Sequence, residues 1–167
     1  SNCPGLGIDT MHSVQYYAHV GTTKGVTTMK QSYEYATTNS EAWAEAVLRE
    51  QPAFQNYKRA ISKAAAIHGA RKLVLKGTIN YEWTALINLE NAAEAKGVGV
   101  IFGKTQRLGH EPGPIFINYY AFGSDEGKPE RSRAMGETIA QQLKAEGVGF
   151  TWNGNEQECI VINLLGQ

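Results

Sequence analysis

Residues 13–20 alternate: Val14, Tyr16, Ala18 and Val20 fall on one side, and Ser13, Gln15, Tyr17 and His19 on the other. A period of two with β-branched and aromatic side chains predicts a half-buried strand. Residues 21–25, with a glycine at each end, read as a turn. Residues 26–38 have no clean period and predict no element.

From about Asn39 or Ser40 the period lengthens. Thr38 and Glu41 have capping-box spacing, and Trp43, Val47 and Leu48 supply an apolar stripe. Pro52 disfavours helix at Gln51, so it ends this helix and opens a second. There Phe54, Tyr57, Ile61, Ala64 and Ala65 recur every three to four residues, and Gly69 stands where a C-terminal cap belongs. A helix with Trp83, Leu86, Ile87, Leu89 and Ala93 runs up to Gly97. Another, starting near Pro129, carries Met135, Ile139 and Leu143 up to Gly147. Gly136 inside that helix costs about 1 kcal/mol against alanine, which predicts close approach to another backbone.

Each of these three helices leads through glycine into a short apolar run: Leu73-Val74-Leu75, Val100-Ile101-Phe102 and Phe150-Thr151-Trp152. Glycine tolerates the left-handed exit from a helix, so the repetition reads as a common way out rather than a duplication. Residues 114–122 are apolar on both faces, which predicts a central strand. The loop over residues 103–113 is too short for a crossover helix, so the strands flanking it form a hairpin. Gly103-Lys104-Thr105 is taken as part of that turn. Asn153-Gly154 marks a second hairpin turn, and residues 158–163 form the last strand. The order β–α–α–β–α–β–β–α–β–β predicts an α+β fold: a mostly antiparallel sheet with helices packed on it, built from helix–glycine–strand units and hairpins. The 167 residues are read as a single domain, with residues 1–50 a strand and helix extension and residues 51–167 the α+β core.

Composition narrows the chemistry. Sixteen basic and sixteen acidic residues give zero net charge, and only 19% of residues are charged. That balance argues against nucleic acid, whose phosphates call for clustered cations. No apolar run approaches the roughly 18 residues of a membrane span, and no signal-peptide pattern opens the chain, so membrane partners are excluded and a cytoplasmic location is expected. Cys3 and Cys159 have no zinc spacing. A buried strand residue Cys159 and an unpaired Cys3 are the simpler expectation. A bridge between them stays open and would require an oxidising compartment.

Catalytic motifs fail on spacing. A phosphate loop ending at Gly103-Lys104-Thr105 needs glycine where Val98 stands, and Gly97, Gly99 and Gly103 do not open a helix as a dinucleotide site requires. His12, His19, His68 and His110 show no i, i+4 metal pair, and His68 suits the carboxyl end of a helix. No serine occupies a nucleophile elbow. Asp125, Glu126 and Glu130 suit a helix amino end. Metal and cofactor are therefore not expected. The polar hairpin around Arg107 and His110, next to Tyr119 and Tyr120, has the residue types of a recognition surface, and these four are the candidate binding residues.

Gly99-Val100-Ile101-Phe102, residues 117–123, residues 134–147 and Thr151-Trp152-Asn153-Gly154 resemble the corresponding pieces of an uncharacterised bacterial α+β domain family, over about residues 57–163. The resemblance implies a fold and no activity. The family's Cys- and His-containing segment is replaced here by residues 78–83, and its polar turn by residues 103–107. Any metal or catalytic role tied to those segments is not carried over. The function expected is non-enzymatic: contact with another protein or self-association, as in a toxin-neutralising immunity protein or an assembly subunit. The alternative is a small enzyme or small-ligand binder with a pocket between sheet and helices.

Overall fold

A computed structural model describes residues 40–76, 80–105 and 112–167. The expected strand at 13–20, Thr38 of the capping pair with Glu41, and the undecided stretch 26–38 lie outside these residues. Within them are helices α1 (Ser40–Arg49), α2 (Pro52–His68), α3 (Asn80–Lys96) and α4 (Lys128–Ala145). The strands are β1 (Arg71–Lys76), β2 (Val100–Thr105), β3 (Ile115–Tyr120), β4 (Phe150–Thr151) and β5 (Ile160–Ile162), and a 3-10 turn spans Leu164–Gly166. The five strands form one sheet in the order β1-β2-β3-β5-β4. Only β1 and β2 run parallel, joined through α3; the other pairs are antiparallel. The fold is α+β with a mostly antiparallel sheet, as the patterning implies.

The strand read as central is β3, the middle of the five, and Ile115 to Tyr119 are all buried. Its alternate residues serve two layers. Ile115, Ile117 and Tyr119 join a core with Leu48 of α1, Tyr57, Ile61 and Ala64 of α2, and Met135, Ile139 and Leu143 of α4. On the opposite face Leu86 and Ala93 of α3 pack with Val100 and Phe102. Ile87, expected in the stripe of α3, is instead 51% exposed: with Leu86 and Ala93 turned to the sheet, its place on the helix faces outward. In α1, Leu48 is fully buried and Val47 is half-buried.

The three helix exits share one geometry. Gly69, Gly97 and Gly147 have φ of 63°, 67° and 74°. The next amide reaches back five residues, from Ala70 to the Ala65 carbonyl, Val98 to Ala93 and Val148 to Leu143, at 2.8–3.0 Å. This is the Schellman motif, completed by an apolar pair at each exit. The repeated sequence unit is therefore a local solution for ending a helix.

Gly103, Lys104 and Thr105 are not a turn. They continue β2 and are buried, because Gly103 lies where the Tyr57 hydroxyl donates to the Val74 carbonyl and leaves no room for a side chain. The register of β1 on β2 shifts between Leu73 and Lys76, so β1 bulges at this point. Residues 106–111 of the expected 103–113 loop lie outside the described residues. The final strand is shorter than expected, Ile160–Ile162 rather than 158–163. Side chains of Asn153 and Asn155 bond the amides of Asn155 and Gln157, which keeps the connecting segment in turns, and Asn163 caps the 3-10 turn.

Cys159 just precedes β5, is buried and is disulfide-bonded, which corrects the expectation of an unpaired mid-strand residue. The chain's other cysteine, Cys3, is outside the described residues.

Helices α2 and α4 are also clamped by charge. Glu146, past the end of α4, accepts from Arg59 Nε at 2.9 Å and Lys63 Nζ at 3.0 Å. These bonds hold its carboxyl below the usual glutamate value. A depressed carboxylate stabilises the fold above its unfolded pKa, and that contribution is lost as pH falls through the folded value. Glu146→Gln should therefore lower the melting temperature slightly near neutral pH and at low salt. The difference should close in strong salt and at a pH well below 4.5, which thermal melts across pH would check.

Candidate functional site

The structure describes two of the four residues expected to form a binding surface. Arg107 and His110 lie outside the described residues. Tyr119 and Tyr120, adjacent on a strand, point to opposite faces of the sheet, as strand geometry requires.

Tyr119 is fully buried. Its hydroxyl accepts from the Trp152 indole Nε1 at 2.8 Å and faces the carbonyls of Glu158 at 2.8 Å and Asn155 at 3.0 Å as donor. The two rings meet edge to face, with centroids 6.1 Å apart. Burial pushes the hydroxyl up to about 12, an effect moderated by the Trp152 bond and reinforced by Glu156 and Glu158. Tyr119 thus anchors the β4–β5 connection. Tyr120 is half-buried, and its hydroxyl donates to Glu90 of α3. Burial, then the bond to Glu90 and its charge, raise its pKa. Tyr57 is raised first by burial and then by Glu45. All three phenols are neutral structural donors at ordinary pH.

Two depressions flank Val98 at the end of the sheet where β1 and β2 begin. The smaller, about 220 Å³, is lined by His68, Gly99, Phe122, Arg131 and Met135 among others. Its polar groups serve the fold. His68 Nε2 is 2.7 Å from Thr138 Oγ1, and the Arg131 guanidinium donates to the carbonyls of Ser124 at 2.6 Å and Glu126 at 2.7 Å. The bond from His68 to α4 adds a partner to the position at a helix end expected from sequence.

The larger depression is an open groove of about 450 Å³. Ala65, Ala66, Ala70 and Val98 give it an apolar floor, and Arg71, Lys72 and Lys96 bring positive charge to it. The carboxyl ends of α2 and α3 arrive here, and their partial negative charge offsets part of these cations. Lys72 and Lys96 are exposed, as is Ile67 in the last turn of α2, at 62%. Among the described residues β1 has β2 as its single strand neighbour, so the groove runs beside an edge strand.

Sequence reading missed this groove. Its residues belong to two helix exits that are far apart in the chain, and the parallel pairing of β1 with β2, Arg71 beside Val100, sets those exits side by side. A signal existed in the basic residue at each exit, Lys96 before Gly97 and Arg71-Lys72 after Gly69. Among the described residues no helix is long and apolar enough to cross a membrane, and no group of three or more His, Cys, Asp and Glu could hold a metal ion. No protein-family model, curated protein or solved structure matches the chain.

Proposed function

We propose that this protein is a non-enzymatic binding protein that holds an acidic segment of another protein in the groove between the exits of α2 and α3. The supporting observation is the pairing of an alanine and valine floor with Arg71, Lys72 and Lys96. An apolar floor takes aliphatic side chains, and cations around it select acidic partners and speed their encounter. The edge position of β1 adds main-chain groups on which an extended segment can pair. An immunity protein engaging a toxin and a subunit of an assembly both suit this reading. The disulfide at Cys159 favours an oxidising compartment over the cytoplasm.

The second reading, a small-ligand site, draws on the cavity beside His68 and Arg131. At about 220 Å³ it falls below the roughly 300–1,000 Å³ of ordinary ligand pockets. Its polar side chains are already engaged by the fold, which favours the groove.

Charge reversal tests the proposal. A fluorescent sixteen-residue peptide of alternating glutamate and leucine is the probe. Lys72→Glu with Lys96→Glu should weaken its binding about tenfold or more and flatten the salt dependence. Both side chains are exposed, so the melting temperature should hold. Equal binding by wild type and variant would remove the groove from the account.

A further inference from the structure

We infer that Asn153 is a self-modification site: the Gly154 main-chain nitrogen displaces its side-chain amide, giving a succinimide that opens to aspartate or isoaspartate. Three observations carry this. Asn153-Gly154 is the one Asn-Gly pair in the chain, and glycine leaves the attacking nitrogen unshielded by a side chain. Asn153 is exposed, so water and hydroxide reach it. Its Oδ1 already accepts from the Asn155 amide at 2.9 Å. A bond to the amide two residues on folds the carboxamide back over the intervening Gly154 peptide. The same N–H polarises the side-chain carbonyl and faces the negative charge that the attack places on Oδ1, as an oxyanion donor does.

The step needs only water and hydroxide. Hydroxide takes the Gly154 amide proton, and the nitrogen forms a bond to Asn153 Cγ. The Cγ–Nδ2 bond then breaks, and the side-chain nitrogen leaves as ammonia after taking a proton from water. Water opens the cyclic imide at either carbonyl. Attack at the side-chain carbonyl gives aspartate in an unchanged main chain. Attack at the main-chain carbonyl gives isoaspartate, which puts an extra methylene into the main chain. The two products differ in what they do to the fold. Aspartate still offers an oxygen to the Asn155 amide. Isoaspartate displaces Asn155, whose carbonyl accepts from Trp152 Nε1 at 3.3 Å and from the Tyr119 hydroxyl at 3.0 Å. The change therefore reaches the anchor that Tyr119 gives the β4–β5 connection. This inference stands apart from the groove and does not depend on what the groove binds.

Timed peptide mapping by mass spectrometry tests it, with the full chain held warm at mildly alkaline pH. The free peptide Thr-Trp-Asn-Gly-Asn-Glu, taken from residues 151–156, is the reference. Asn153 should convert to a mixture of aspartate and isoaspartate at a rate within about tenfold of the peptide's, because an exposed turn needs no costly local opening first. Asn155 and Asn163 are also exposed but precede Glu156 and Leu164, and should lag behind it. The Trp152 indole N–H resonance should move in the isoaspartate form and stay in place in Asn153→Asp, which separates the lengthened main chain from the added charge. The inference is overturned by conversion at Asn153 more than about tenfold slower than in the peptide, which would mean that the fold must open first. Conversion led by Asn155 or Asn163, or isoaspartate that leaves the Trp152 resonance unmoved, would overturn it as well.

Discussion

Gly103→Ala is expected to cost about 3–5 kcal/mol, enough to leave a domain of ordinary stability marginal. The added methyl would fall on the Tyr57 hydroxyl and the Val74 carbonyl, with the Ile115 side chain 3.0 Å away. Neither polar group can move cheaply. Tyr57 is fully buried, and the carbonyl belongs to the bulge of β1. The cost therefore combines overpacking with the loss of a buried hydrogen bond. Urea denaturation measures it, and the Tyr57→Phe background identifies its source. Without the hydroxyl, Gly103→Ala should cost appreciably less, giving a coupling of about 1–3 kcal/mol between the two positions. A wild-type midpoint for Gly103→Ala would show that β2 and α2 do not meet this closely.

Gly136→Ala separates packing from helix propensity. In a solvent-facing helix position the change should stabilise by about 1 kcal/mol. Here the new methyl would lie 2.8 Å from Trp152 Cζ2 and 2.8 Å from Tyr119 Cε2. Two rings would have to shift, and with them the indole–hydroxyl bond and the hold on the Glu158 and Asn155 carbonyls. A net loss of about 2 kcal/mol is expected, with the tryptophan emission moving to longer wavelength before unfolding. A stabilised variant would mean that propensity alone governs the site.

Gly136 also shows how far sequence reasoning reached. A glycine inside a strong helical stripe called for close approach, but the partner is a pair of aromatic rings rather than a backbone. Period alone sees that space is needed and not what fills it. The stripe itself, Met135, Ile139 and Leu143, was legible because burial on one helix face repeats locally. The hairpin of β2 and β3 was legible from its short connection, and β3 as the middle strand from its two apolar faces. Gly103 was taken for a turn because its reason lies 46 residues upstream, at Tyr57 (103 − 57). Tyr119 and Tyr120 looked like one surface because they are adjacent, while strand geometry sends them to opposite layers. The groove was illegible for the same cause as Gly103: Lys96 and Arg71 become neighbours through a parallel strand pair, which nothing local in the chain announces.

In our proposal, the groove at the paired exits of α2 and α3 is where this protein meets an acidic partner segment. Amide chemical-shift mapping of the full chain with the glutamate–leucine peptide tests it most directly. Shifts concentrated at Ser62, Ala66, Gly69, Arg71, Lys72, Lys96 and Val98, abolished by Lys72→Glu with Lys96→Glu, are the result expected. Shifts confined to another face, or none at peptide concentrations in the millimolar range (about 4 kcal/mol of binding), would contradict it.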